Sequence, residues 1–328
     1  MGMNNVLAVD IGGTHFRVGL FDEGGRRLLV SEGDTSREEG RDWMLEEVRR
    51  RARDLVERTD LPVKACGASF GGPVDFARQR VVSVHTPGWQ DFALGEWMVR
   101  TLGLPSRVDN DANCGALGEY RYGAGRGSDS MVYITISTGI GAGIIMGGRA
   151  LRGRDYLAGE LGHIPVSESG AICSCGAKGC LETFCSGRAI AERGKEWAQR
   201  RPESIDRVLE ISGGTPDQVT ARSVVLAALE GDSVARSIVE ESARWLGRAL
   251  LIVIRILNPD RIVLGGGVAQ AGSVLLDPVR DTMREFSSPS IGYSTEIVLA
   301  ELENYSPLYG AAAMALDLAS RQEAGSNA

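Results

Sequence analysis

The sequence predicts an α/β protein of two lobes with a central cleft, the lobes being duplicated β-sheet units. Three observations carry the prediction. The chain has 328 residues, more than an ordinary domain of ~100–200 residues, and enough for each lobe to bury a core. Two stretches repeat one design, an apolar strand that breaks into a Thr- and Gly-containing turn and resumes as a strand. The first runs from Val6-Leu7-Ala8-Val9-Asp10 through Ile11-Gly12-Gly13-Thr14 to Phe16, Val18 and Leu20. The second runs from Met131–Ser137 through Thr138-Gly139-Ile140-Gly141 to Gly143-Ile144-Ile145-Met146, with Ser137 where the first has Asp10. Between and after these copies, short apolar strands alternate with segments of helical period.

In order, the first hairpin is followed by a helix over about 41–59, with Met44, Leu45, Val48, Ala52, Leu55 and Val56 at helical spacing and Leu61-Pro62 as its stop. A strand over 64–70 runs into Gly71-Gly72-Pro73. After Pro87-Gly88-Trp89 come a helix near 94–102, a strand over 106–109 and a helix over 112–122. Beyond Glu182 the pattern is mostly helical, at about 182–201, 220–230 and 233–257, the last ended by Asn258-Pro259. A strand over 261–264 meets Gly265-Gly266-Gly267, and a strand near 296–300 and a helix over 307–320 follow. The expected division is a small N-terminal lobe, 1–115, on which the 307–320 helix packs back, a large lobe, 116–306, holding a Cys-rich loop at 163–180, and a disordered polar tail, 321–328.

Composition narrows the function classes. A hydrophobic fraction of 43% and a charged fraction of 24% are those of a globular protein. A net charge of −7 offers no broad field for nucleic acid or anionic lipid, so an anion must be held by local geometry. No apolar run approaches the ~20 residues of a membrane span and no leader pattern opens the chain, so a cytoplasmic protein without nucleic-acid or membrane partners is expected. Six cysteines are too few for a disulfide framework, and three crowd into Cys173–Cys180, which points to a metal. Cys66, Cys114 and Cys185 read as small buried apolar residues.

Each glycine-rich turn could present backbone N–H groups to a phosphate, and each alone could equally be an ordinary turn. None belongs to a P-loop or completes the dinucleotide fingerprint. In His163…Cys173-x-Cys175-Gly176-x-x-Gly179-Cys180, three thiolates and an imidazole make a Cys₃His set, the composition of closed, structural zinc sites. A zinc-held imidazole is fixed in tautomer, and its other nitrogen can donate to a hydroxyl.

Together, Asp10-Ile11-Gly12-Gly13-Thr14, Ser137-Thr138-Gly139-Ile140-Gly141-Ala142-Gly143 and Gly265-Gly266-Gly267 resemble the two phosphate motifs and the adenosine motif of the actin-like ATPases, whose fold is ribonuclease H-like. Within that superfamily, the segment from Ile136 through Gly153 and Gly159 to Gly162-His163 resembles the signature of the ROK family of sugar kinases and repressors, and the similarity runs from Val6 to about Gly310. The resemblance implies an ATP-dependent hexokinase of glucokinase type that phosphorylates a hexose, glucose first, at its 6-hydroxyl. It implies ATP and Mg²⁺ binding by Asp10, Gly12, Gly13, Thr14, Thr138, Gly139, Gly141, Gly265, Gly266 and Gly267, with Asp10 holding Mg²⁺ through water. Asp111, in Asn110-Asp111-Ala112-Asn113, matches the family's catalytic acid, which accepts the proton of the attacking hydroxyl; an acid there would also serve as a helix cap. Gly72, Asn110, Asp111, Glu160, His163 and Glu182 match positions that bind the sugar, though each Glu read alone could be a solvated acid. Trp89 could be a sugar-facing or a core residue. His163, Cys173, Cys175 and Cys180 match the zinc ligands, and a homo-oligomer, dimer or tetramer, is implied.

Three other readings stand beside this one. A kinase for an N-acetylhexosamine, mannose, fructose or allose would use the same hydroxyl-binding set. A sugar-responsive repressor would resemble this chain with a DNA-binding module in front, for which the phosphate motif, beginning within ten residues of Met1, leaves no room. A non-catalytic sugar-binding regulator would not need Asp10, Asp111 and both phosphate turns intact.

Overall fold

The computed structural model describes residues 5–82, 87–288 and 290–326. The chain divides into two compact units, one of residues 1–128, 143–158 and 305–328, the other of residues 129–142 and 159–304.

The first unit opens with β1 (Asn5–Ile11), β2 (His15–Phe21) and β3 (Arg27–Asp34), then α1 (Gly40–Glu57), β4 (Val63–Phe70), a small hairpin of β5 (Val74–Asp75) and β6 (Arg80–Val81), α2 (Leu94–Leu102), β7 (Ser106–Asn110) and α3 (Asp111–Tyr122). Its sheet has the order β3-β2-β1-β4-β7. β1, β4 and β7 are mutually parallel, and β2 runs antiparallel to both neighbours. Every residue of β1 is buried, as expected of a parallel strand covered on both faces. Its alternate residues divide between two cores: Leu7 and Val9 pack with Met44, Val48 and Leu55 of α1 and Met98 of α2, while Val6 and Ala8 pack with Leu308, Ala311 and Ala315. Trp89 lies in the first of these cores, 5.0 Å from the Phe70 ring.

The remaining elements are β8 (Ser130–Ile136), β9 (Ile140–Met146), β10 (Arg149–Ala150), α4 (Glu182–Cys185), α5 (Gly187–Arg200), α6 (Asp206–Ser212), α7 (Ala221–Leu229), α8 (Ser233–Leu257), β11 (Arg261–Gly265), α9 (Ser273–Phe286), β12 (Glu296–Leu299) and α10 (Ser306–Ser326). The second sheet has the order β10-β9-β8-β11-β12, with β8, β11 and β12 parallel. This repeats the first sheet position by position, as the paired hairpins predict.

Several boundaries differ from those expected. The helix predicted over 182–201 is two, because Ser186 leaves helical geometry and its Oγ accepts from Ala189 N as the cap of α5. α6 and α9 have no counterpart in the sequence reading. α9 carries Pro278 in its interior, a signal that argues against a helix in local terms. The tail expected to be disordered over 321–328 continues α10 through residue 326, Arg321-Gln322-Glu323-Ala324 being good helix formers; residues 327–328 lie outside the described residues. The first unit also extends past the expected boundary at 115 to residue 128 and recovers 143–158, while α10 belongs to it as expected.

The reason α3 stays with the first unit is close helix packing. A Cβ on Gly310 would overlap the carbonyl oxygen of Cys114 in α3, and one on Gly118 would overlap that of Ser306. Backbones this near exclude any side chain. Gly310→Ala is therefore expected to destabilise the protein by about 1–3 kcal/mol, the usual cost of overpacking, measurable as a lower denaturation midpoint in urea at unchanged slope.

Candidate active site

In the first sheet Asp10 and Asn110, and in the second Gly265, stand at the carboxyl ends of parallel strands, where open α/β sheets bind ligands. In the first unit the registers Asp10↔Ser69 and Ser69↔Asp109 set three polar residues side by side on β1, β4 and β7. Ser69 Oγ donates to Asp10 Oδ1 at 2.8 Å, and Arg17 Nη1 lies 3.3 Å from Asp10 Oδ2. Burial pushes the Asp10 carboxyl above the ordinary aspartate range, against the opposing effects of Ser69 and Arg17. Beyond Asp10 the turn is held by its carbonyls: Thr35 Oγ1 donates to Gly12 O at 2.8 Å, Arg37 Nε to Gly13 O at 3.0 Å and Thr35 N to Thr14 O at 2.8 Å. Gly13 and Thr14 are exposed.

The cap of α3 is Asn110, not Asp111. Asn110 Oδ1 accepts from Ala112 N at 2.9 Å and Asn113 N at 3.4 Å, and its amide nitrogen donates to Gly72 O at 3.1 Å. Asp111 is the first helical residue, and its Oδ1 also accepts from Ala112 N at 2.9 Å. The capping role that could have explained Asp111 thus falls to its neighbour, and Gly72 and Asn110 are tied to one another.

Sequence reasoning missed Asp109. It is 1% exposed; Oδ1 accepts from Asn110 N at 2.8 Å and Asn113 Nδ2 at 3.1 Å, and Oδ2 takes Arg152 Nε at 2.8 Å and Nη2 at 2.6 Å. Asp109 therefore braces the turn that presents Asn110 and Asp111. An acid ending an apolar strand was a visible signal; Arg152, 43 residues away, carried none. Arg152→Ala leaves this carboxylate buried without its cation and is expected to cost about 3–5 kcal/mol, read as a fall in thermal midpoint that Arg152→Lys partly restores.

In the second unit, Gly265 pairs with Thr135, so the end of β11, which leads into Gly266 and Gly267, adjoins the end of β8, which leads into Thr138 and Gly139. Gly266 has φ +84°, and a Cβ there would press on Ile136 O. Gly187 N donates to Ser137 O at 2.7 Å and Arg188 N to Thr138 O at 3.3 Å, which seats the turn on the start of α5. Glu182 is buried: Oε2 accepts from Ile140 N at 3.0 Å, and Oε1 lies 3.1 Å from Arg188 Nη2. A Cβ on Gly139 would overlap the Glu182 carboxylate. Glu182 is thus a brace for the turn at Gly139-Ile140 rather than a solvated acid, whereas Glu160 is exposed.

His163, Cys173, Cys175 and Cys180 come together, with all four candidate ligand atoms within 4.8 Å of one another. Main-chain bonds assemble them. Leu181 N donates to Ile164 O and Val166 N to Gly179 O, pairing the His163 and Cys180 segments, while Cys173 N donates to Ala177 O to close the Cys173–Cys175 turn. Cys173 Sγ lies 3.5 Å from His163 Nδ1, and Cys175 Sγ 3.7 Å from Cys180 Sγ. A tetrahedral zinc with Zn–S of about 2.3 Å and Zn–N of about 2.0 Å sets its donors about 3.5–3.8 Å apart, so the residues fit the ion. His163 Nδ1 faces the thiols, and Nε2 points toward Glu160 Oε2 at 3.8 Å. Cys66, Cys114 and Cys185 are buried apart from this group. No helix among the described residues is long and apolar enough to cross a membrane.

The family model described as "ROK family" matches residues 6–318. A glucokinase of Streptomyces coelicolor is 33% identical over 319 residues, 95% of this chain and 98% of the relative. A glucokinase of Thermotoga maritima is 34% identical over 312 residues, covering 94% and 96%. Among solved structures, a ROK family glucokinase from Streptomyces griseus, in complex with glucose and AMPPNP, superposes with a TM-score of 0.87 at 34% identity, covering 96% of this chain and all of that one.

Proposed function

This chain belongs to the ROK family, and from that premise we propose that it is a glucokinase-type phosphotransferase, transferring the γ-phosphoryl group of ATP to the 6-hydroxyl of glucose. One observation carries the reading: the chain is 33–34% identical along nearly its whole length to glucokinases; the ends of parallel strands at Asp10 in the first sheet and Gly265 in the second support it.

Asp111 is the general base. As the 6-oxygen forms its bond to the γ-phosphorus and the bond from that phosphorus to the bridging oxygen breaks, the hydroxyl proton passes to the Asp111 carboxylate and ADP leaves with the electron pair. Phosphoryl transfer asks for little covalent help, so positioning and late proton acceptance suffice. Its neighbour Asn110 keeps one amide hydrogen for the sugar, because the other is given to Gly72. Asp10 would hold the Mg²⁺ of the nucleotide, a hard cation that takes carboxylate and water oxygens and would neutralise phosphate charge. The turns at Gly12, Gly13, Thr14 and at Thr138, Gly139, Gly141 take phosphates, and Gly265–Gly267 the adenosine.

Zinc would be held by His163 Nδ1, Cys173, Cys175 and Cys180, and when bound it supplies a fixed imidazole tautomer. Nε2–H of His163 would be the donor to a sugar hydroxyl, and Glu160 and Glu182 would complete the sugar-binding set. The same reading carries a cytoplasmic homo-oligomer, dimer or tetramer.

A coupled ADP-release assay with ATP over a panel of hexoses tests substrate and class together. Glucose is expected to give the highest kcat/KM. A site built to bond a hydroxyl can reject an analogue lacking it by up to about 10⁴–10⁵-fold, so 2-deoxyglucose should lose much of it and N-acetylmannosamine should be turned over poorly. A higher kcat/KM for any N-acetylhexosamine than for glucose would overturn the substrate while leaving the kinase assignment standing.

A further inference from the structure

One pocket in the first unit, about 500 Å³, is lined by none of the residues assigned above to ATP or sugar. Its walls come from β7, α3, the β10 segment and α10, and they carry Arg107, Arg121, Arg149, Arg152 and Arg321 against one acid, Asp317. This inverts the background of a chain in which 43 acids outnumber 36 lysines and arginines. Two of the five are committed: Arg121 grips Asp317 at 2.6 and 2.7 Å, and Arg152 grips Asp109. Arg107, Arg149 and Arg321 have no acid within ion-pair distance among the described residues. Beside them the surface is apolar. Arg152 stacks 3.8 Å over the Phe76 ring and Arg107 lies 5.5 Å from its centre, with Leu117 and Met314 adjoining.

We propose that this pocket binds a small organic phosphate with at least two phosphate charges. Like-charged guanidinium groups held around one cavity repel unless an anion joins them, and arginine forks match phosphate oxygens in bidentate geometry. The volume falls within the usual ~300–1,000 Å³ of small-molecule sites and far exceeds what inorganic phosphate fills. The Phe76 surface takes the carbon skeleton.

The test is calorimetric titration of the full chain, with glucose and Mg·AMPPNP saturating the kinase site, by a hexose 1,6-bisphosphate and, separately, by inorganic pyrophosphate. Expected is one further site per chain for the bisphosphate, weakened at least about tenfold in Arg107→Ala/Arg149→Ala and retained in the control Arg58→Ala/Arg100→Ala, whose arginines are exposed elsewhere on the unit. Basal glucose phosphorylation in both double variants should match the unmodified chain, which establishes that each folds; if the first fails to fold, Arg149→Ala/Arg321→Ala takes its place. Absence of any further site, or equal binding by the pocket variant and the control, overturns the proposal. Tighter binding of pyrophosphate than of the bisphosphate would assign the pocket to free anions and overturn the organic ligand.

Discussion

Asp111→Asn is expected to lower kcat for glucose phosphorylation by about 10²–10⁴-fold, the contribution of a positioned general base, while glucose still binds. The substitution is near-isosteric and leaves the α3 cap intact, because Asn110 supplies the oxygen that receives Ala112 N and Asn113 N. What Asp111 gives the helix as an acid in its first turn is an interaction of about 0.3–1 kcal/mol with the helix dipole. A purely structural Asp111 would therefore shift the thermal midpoint slightly and leave turnover alone. Stopped assays for kcat, with calorimetry for glucose affinity, separate the two roles, and near-normal kcat in a folded variant would remove Asp111 from the chemistry.

Loss of the metal should act on binding before it acts on the chemical step. Purified without added zinc, the protein is expected to carry one zinc per chain by metal analysis, and Cys180→Ser to carry close to none, since a closed site that loses a thiolate also loses its tetrahedral set. Structural zinc supplies an apparent ~10–16 kcal/mol in small peptides. In a chain this size that energy organises the 163–180 loop rather than the whole fold. With the ion gone, His163 is free to change tautomer, and Glu182, whose Oε1 lies 3.5 Å from Ser174 Oγ and 3.9 Å from Cys173 Sγ, loses one side of its support. A KM for glucose raised about tenfold or more, with a smaller change in kcat, is the expected result. Full activity with unaltered KM in protein free of zinc would show the cluster to be a set of thiols.

The sequence by itself determined those features whose physics is local. An apolar strand breaking into glycines, repeated once, was enough to read the duplicated sheets, because side-chain alternation and turn chemistry act within a few residues. The Cys₃His group was legible for a similar reason: three of its four ligands lie within eight residues, and metal chemistry restricts which side chains can share an ion. Tertiary structure alone decided which acid did which work. Asn110, not Asp111, caps α3; Asp109 is braced by Arg152; Glu182 supports the turn at Ile140, 42 residues before it. Such pairings leave no period in the sequence, since a buried carboxylate needs only some cation or N–H within reach and the chain can bring that partner from any distance. α9 escaped notice on the same principle: the apolar face it buries against α8, with Leu275, Val279 and Met283 all buried, outweighs an interior proline whose local preference is against a helix.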